Sequence, residues 1–191
     1  MNTNTTRYFI YCRKSTDEVD KQVLSIESQI SELQELALKE NFKIIDTLTE
    51  NRTAKVPGRE VFNKMLNRIE KGEADGILSW HPDRLARNSV DGGRIIYLVD
   101  MGRIKDLKFS TFWFEPTPQG KFMLSIAFGQ SKYYVDNLSE NIKRGNRQKL
   151  RNGVWPKQAP IGYLNNTVNK TIEIDEKIAP IVKLAFKLYS E

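Results

Sequence analysis

One cysteine, Cys12, and one histidine, His81, are all that this 191-residue chain offers of either type. A single thiol excludes an internal disulfide, and the two residues together cannot furnish the ligand set of a His/Cys zinc site. Long hydrophobic runs are missing as well. No apolar stretch approaches the roughly 18 residues that a membrane span needs, and the polar start over 1–6 lacks the apolar core of a signal peptide. The first apolar run is followed by Tyr11-Cys12-Arg13-Lys14-Ser15, with no glycine, so the G-x-G-x-x-G and Walker classes of nucleotide binder are excluded. A G-x-S-x-G elbow is lacking around Ser15, which removes the classical serine hydrolases, and Asp83 has cations rather than carboxylates beside it, which removes a metal-dependent nuclease. With 39% hydrophobic and 28% charged residues the chain reads as a globular, soluble, cytoplasmic protein, and no metal or other cofactor is expected.

What the chain does have is a net charge of +6, unevenly placed. Residues 1–136 are nearly neutral and 158–191 are balanced. Between them, Lys143, Arg144, Arg147, Lys149, Arg151 and Lys157 face Glu140 alone. Cations concentrated in one stretch suggest contact with phosphates. A solvated helix face is the other reading of the same run.

The first part alternates strand-like and helix-like stretches. Short runs rich in Ile, Phe, Tyr and Leu over 7–12, 43–48, 75–80 and 107–112 predict buried strands. Ile26, Ile30, Leu33 and Ala37 recur at helical spacing; Phe62, Met65, Leu66 and Ile69 mark a second helix stopped by Gly72, and 93–101 a third. This order predicts an α/β fold with a mainly parallel central sheet flanked by helices. After Pro116 and Pro118 no proline occurs before Pro156, and one helix of about 30 residues is expected over 119–151, near 45 Å long. Its first half is apolar and aromatic, its second half cationic, so one half can pack on protein while the other lies on DNA. A short strand over 171–174 and an apolar helix over 176–189 should follow. The expected domains are therefore an α/β core over 1–118, a long oligomerisation and DNA-contacting helix over 119–152, and over 153–191 a linker with the beginning of a second domain that continues beyond Glu191.

Two constellations lie just past predicted strands, where open parallel sheets place their ligands. The first is Tyr11-Cys12-Arg13-Lys14-Ser15, a nucleophile beside a cation. The second, His81-Pro82-Asp83-Arg84-Leu85-Ala86-Arg87-Asn88, leaves the same sheet edge, so the two loops should converge. If that turn is helical, Arg84 and Arg87 share a face and can grip one phosphate with forked donors, with Asp83 orienting an arginine.

Tyr11, Arg13 and Ser15 match the Y-x-R-x-S motif of the serine recombinases (resolvases, invertases and serine integrases), and Asp83 to Arg87 match their D-R-L-x-R motif. Ser25 to Gln29 is similar to the family's S-x-x-x-Q helix start, and Pro57-Gly58-Arg59-Glu60 to the segment that carries another active-site arginine. The resemblance runs over about 7–154 and is strongest to the catalytic domain of the large serine recombinases. It implies that Ser15 attacks a DNA phosphodiester, forms a 5′-phosphoserine linkage and releases a 3′-hydroxyl, with the bond energy kept in the adduct so that religation needs neither ATP nor metal. Arg13, Arg59, Arg84 and Arg87 would stabilise charge on the phosphoryl oxygens, Asp83 would orient an arginine, and Gln29 would position the phosphate or Ser15. Tyr11 is open between packing and function, and Cys12 is expected in the core. The implied partners are double-stranded DNA at recombination sites, contacted by the cluster from Lys143 to Lys157, and further copies of the chain. Dimers would assemble into a tetramer through Phe122, Ile126 and Tyr133. A bacterial or phage-encoded, nucleoid-associated protein is implied, with no membrane partner.

The chain departs from the family pattern in places. Near Tyr134 and Val135 the Glu-Arg pair of small members is absent, and Glu50 stands where an aspartate is frequent. His81 has the chemistry of a general acid, but the motif does not call for a histidine. A rival reading is a non-catalytic DNA-binding or assembly module derived from a recombinase.

Overall fold

The strand β1, Arg7–Arg13, has no glycine or proline and is buried from Tyr8 onward, as a central strand covered on both faces must be. A computed structural model describes residues 6–14 and 25–190. Phe9 and Tyr11 point into one apolar cluster, while Tyr8, Ile10 and Cys12 point into a second on the opposite face. The strand runs one residue further than its apolar pattern indicates and ends on Arg13.

Helix α1, Ile26–Lys39, starts at Ser25, whose hydroxyl accepts from the Ser28 N–H at 3.1 Å. It buries Gln29, Leu33 and Ala37, with Ile26 and Ile30 half-buried, and so closes the second cluster. Strand β2, Lys43–Glu50, lies parallel to β1 with Arg13 opposite Glu50. Helix α2, Glu60–Glu70, turns Phe62, Met65, Leu66 and Ile69 into the first cluster. Strand β3, Gly76–Ser79, pairs in parallel with β1 on its other side, and β4, Asp106–Phe109, with β3. The order is β2-β1-β3-β4 and every pairing is parallel, so the chain leaves β1 and β3 at one edge. Gly76 is the close-approach point of this sheet, since a Cβ there would lie 2.6 Å from the Asp106 carbonyl and 2.8 Å from the Tyr8 ring.

Between β3 and β4 stand a single turn, α3, Pro82–Leu85, and the helix α4, Ser89–Asp100. The latter begins four residues before the apolar pattern at 93 because Asn88 caps it, accepting from the Asp91 N–H at 2.9 Å. Helix α5, Pro118–Arg151, is 34 residues long, about 51 Å at 1.5 Å per residue. Its root fits against Glu115, whose carbonyl would be 1.9 Å from any Cβ at Gly120, and it buries Leu124, Ala127 and Phe128.

The chain forms two compact units, 1–135 and 136–191, with the division inside α5. The second unit contains an antiparallel pair, β5 (Tyr163–Asn166) and β6 (Thr171–Ile174), and α6, Ala179–Ser190. Strand β5 was not expected from the sequence. Helix α6 starts later than the apolar pattern implies, because Asp175 first organises a turn, accepting from the N–H groups of Lys177 and Ile178. Among the described residues no helix is long and apolar enough to cross a membrane.

Candidate active site

The end of β1 is held on both sides. On one side the Lys14 N–H donates to the Glu50 carbonyl at 3.1 Å. On the other, β3 has already turned away after Ser79, and the side chain of Gln29 takes its place. The Arg13 N–H donates to Gln29 Oε1 at 3.3 Å, and Gln29 Nε2 donates to the Arg13 carbonyl at 3.2 Å. Gln29 is thus buried and holds the backbone two residues before Ser15. Ser15 itself lies outside the described residues. The side chain of Arg13 is fully buried, its Nη1 3.5 Å from the Arg52 carbonyl.

Beyond β3, α3 is a single turn. His81 precedes it and accepts from the Asp83 N–H through Nδ1 at 3.2 Å, an N-cap arrangement completed by Pro82 at the first helical position. The turn stops at Leu85, because Ala86 is extended at φ −148° and the Arg87 N–H donates to the Ala54 carbonyl instead of continuing the helix. The helical face proposed for Arg84 and Arg87 is therefore not formed. The two arginines meet through a carboxylate. Arg84 Nη1 and Arg87 Nη2 donate to Asp83 Oδ2 at 3.0 and 2.9 Å, while His81 Nδ1 lies 3.1 Å from Asp83 Oδ1. Burial pushes the Asp83 carboxyl pKa up, but the contact with His81 and the charges of Arg84 and Arg87 outweigh it and hold the pKa down at about 2.

Arg84 is almost fully buried, with its guanidinium 5.2 Å from the Trp80 ring. Its Nε is buried and has no acceptor among the described residues. An unsatisfied donor of this kind costs about 1–3 kcal/mol. Arg59 has the same orphan Nε, but the rest of its guanidinium is fully engaged. It is 1% exposed, and both of its Nη atoms are engaged within the protein, Nη1 with the Tyr11 hydroxyl at 3.0 Å and Nη2 with Asp91 Oδ2 at 2.9 Å. Tyr11 joins this network through its hydroxyl while its ring packs on Phe62. Burial, partly offset by the charges of Arg59 and Arg13, raises the Tyr11 pKa. Cys12 faces the other side of the sheet, and burial pushes its thiol up to about 12, which makes it an unreactive core residue.

Asp91 had not been singled out from the sequence, and Asn88 stood there only as the end of the second constellation, with no role. The signal available was their spacing, a polar cap followed three residues later by an acid at a helix start. In the second unit, Lys143, Arg144, Arg147, Lys149, Arg151 and Lys157 are all exposed. Phe122, Ile126 and Tyr133 on α5 are exposed as well, at 65%, 44% and 66%. Among the described residues there is no group of three or more His, Cys, Asp or Glu that could hold a metal ion.

Among solved structures, the chain is similar to the N-terminal catalytic domain of TP901-1 integrase at 24% identity and a TM-score of 0.51, covering 68% of this chain and 97% of that one. This is a likeness of fold. It is also similar to the C-terminal catalytic domain of ISC1926 TnpA, an IS607-like serine recombinase (17% identity, TM-score 0.47, 97% and 99% covered). A third is a resolvase family site-specific recombinase from Streptococcus pneumoniae (19% identity, TM-score 0.44, 76% and 99% covered). No curated protein matches. The family model described as the resolvase N-terminal domain matches residues 8–155, so that both arginine-bearing strand ends and all of the parallel sheet except Arg7 fall within it. The chain therefore belongs to the resolvase N-terminal domain family, the catalytic domains of serine recombinases.

Proposed function

We propose that this domain cleaves and rejoins double-stranded DNA at recombination sites through a covalent 5′-phosphoserine on Ser15, with no metal and no ATP. The observation that carries the reading is Arg84, a buried guanidinium fixed by Asp83 beside Arg87 just past the end of β3. In the forward step the Ser15 oxygen bonds to phosphorus, the bond from phosphorus to the 3′-oxygen breaks, the serine proton leaves and the 3′-oxygen gains a proton. The reverse step rejoins the strand at no cost in high-energy phosphate, because one phosphate ester has replaced another. Fixed arginines can stabilise the charge that builds on the equatorial oxygens, which is the service a magnesium ion gives in other phosphoryl transfers. The exposed cations from Lys143 to Lys157 suit the DNA backbone, and the apolar stripe of Phe122, Ile126 and Tyr133 suits self-association into a dimer and then a tetramer.

The test is to incubate the chain with a pool of random-sequence suicide duplexes in which a strand break prevents religation. A denaturant-resistant adduct that maps to Ser15, persists in EDTA and is lost in Ser15→Ala is expected. An adduct on Tyr11 or Cys12, or cleavage that needs added magnesium, would overturn the mechanism. DNA binding with no adduct at all would favour a non-catalytic assembly module.

A further inference from the structure

The turn that presents Arg84 is too short to hold itself. Helix α3 has four residues, and with Ala86 extended the carbonyls of Arg84 and Leu85 have no helical donor to meet. Arg59 supplies donors to both. Its Nη1 donates to the Arg84 carbonyl at 3.4 Å as well as to the Tyr11 hydroxyl, and its Nη2 donates to the Leu85 carbonyl and to Asp91 Oδ2. All four Nη hydrogens are thereby used, and Arg59 Cζ lies over the Phe62 ring, 3.9 Å from its centroid. Asp91, itself buried, also accepts from Asn88 Nδ2 at 2.8 Å, and Asn88 Nδ2 reaches the Ala54 carbonyl at 2.9 Å. The Ala54 carbonyl accepts in turn from the Arg87 N–H at 3.2 Å. The pair thus ties together the β1 residue Tyr11, the turn bearing Arg84, the backbone of Arg87 and the start of α4.

From this geometry we infer that Asp91, acting through Arg59, is the positioning residue of the phosphate-binding turn, and that Arg59 itself does not contact the phosphate. Arg59 cannot take a phosphate oxygen on Nη without releasing a carbonyl of that turn, and its Nε, which has no acceptor among the described residues, is buried away from solvent. Asp91 supplies the countercharge that lets a cation remain buried there. A lysine cannot replace it, because three donors on one nitrogen do not reach four acceptors on two sides. The consequence for cleavage rests on the recombinase reading; the consequence for the turn does not.

Hydrogen exchange on the whole chain tests the turn without DNA. In Asp91→Asn and in Arg59→Lys, the amides of Ala86 and Arg87 should exchange at least about tenfold faster, while Ile10 and Leu78 in the sheet keep their protection. Unchanged rates at Ala86 and Arg87, or an equal loss at Ile10 and Leu78, would overturn the inference, the second by making the pair plain core support. The cleavage arm uses a suicide duplex recovered from the random pool. Asp91→Asn should slow adduct formation about ten- to hundredfold, as small misplacements of catalytic groups do, with DNA affinity within about twofold of wild type. In Arg59→Met, replacing the scissile phosphate by an uncharged methylphosphonate should not restore the rate; restoration would mean that Arg59 neutralises the phosphate directly. A wild-type chain that forms no adduct refutes the recombinase reading alone, and the exchange rates then decide whether Asp91 positions the turn.

Discussion

Arg84 and Arg87 donate to the same oxygen, Asp83 Oδ2, from two different backbone conformations, one at the end of a helical turn and the other beyond an extended residue. Their guanidiniums are brought together by a shared acceptor rather than by helical spacing. Asp83 is therefore the part on which both depend.

Asp83→Asn should lower Tm at neutral pH. The folded-state pKa of Asp83, about 2, lies below the ordinary value near 4, so its contribution to stability is fully present above about pH 4 and is lost as pH falls through about 2. Thermal melts of wild type and variant should thus differ at pH 7 and converge between about pH 4 and 2. A constant difference across that range would mean that the asparagine acts through packing and not through charge.

Arg84→Lys keeps the charge and loses the forked donors. With Nη1 committed to Asp83, a single ammonium cannot hold the carboxylate and also present the remaining donors of a planar fork. Adduct formation should fall by about a hundredfold or more, measured as single-turnover rate on a suicide duplex. A rate within about twofold of wild type would show Arg84 to be a structural ion pair only.

Ile126→Glu should weaken self-association. Ile126 is 44% exposed between Phe122 and Tyr133, so a charge there meets water in the monomer and apolar surface in an assembly. Sedimentation velocity across a concentration series reads the outcome, with circular dichroism as the check that the helix remains. An unchanged association constant would place the contact elsewhere.

Binding to random duplex should be weak, without sequence preference and steeply dependent on salt. The cluster from Lys143 to Lys157 can neutralise about five phosphates, and counterion release of about 0.9 per phosphate gives a slope of log K against log salt near −4 to −5. Replacing Arg144 and Arg147 by Gln should make that slope shallower by about two. A flat response would show that these cations do not touch DNA.

The parallel sheet was legible in the sequence because each strand is a short apolar run with helical spacing between it and the next. The strand ends were legible because the chemistry-bearing residues sit immediately after those runs. Strand β5 was hidden: Tyr163-Leu164-Asn165-Asn166 is exposed or half-exposed along its length, has no buried face to impose alternation, and half of it is asparagine, a poor strand former. The spacing of Arg84 and Arg87 suggested a helix that the structure ends at Ala86, since a main-chain contact from Arg87 to Ala54, 33 residues earlier, outweighs local preference. The burial of Arg59 was likewise illegible. Its partners Tyr11, Arg84, Leu85 and Asp91 are scattered over three segments, and two of the contacts are to backbone carbonyls, which carry no mark of residue type.

The bonds between Arg13 and Gln29 close a loop of 16 residues at its root. The closure is made by one carboxamide bonded to the N–H and the carbonyl of a single residue, Arg13. In polymer terms the cost of closing such a loop rises only with the logarithm of its length, by about 0.6 kcal/mol for each doubling. Lengthening the chain between Ser15 and Ser25 should therefore disturb the fold little. Gln29→Glu, by contrast, would set a carboxylate against the Arg13 carbonyl and loosen the end of β1 where the carboxamide now holds it.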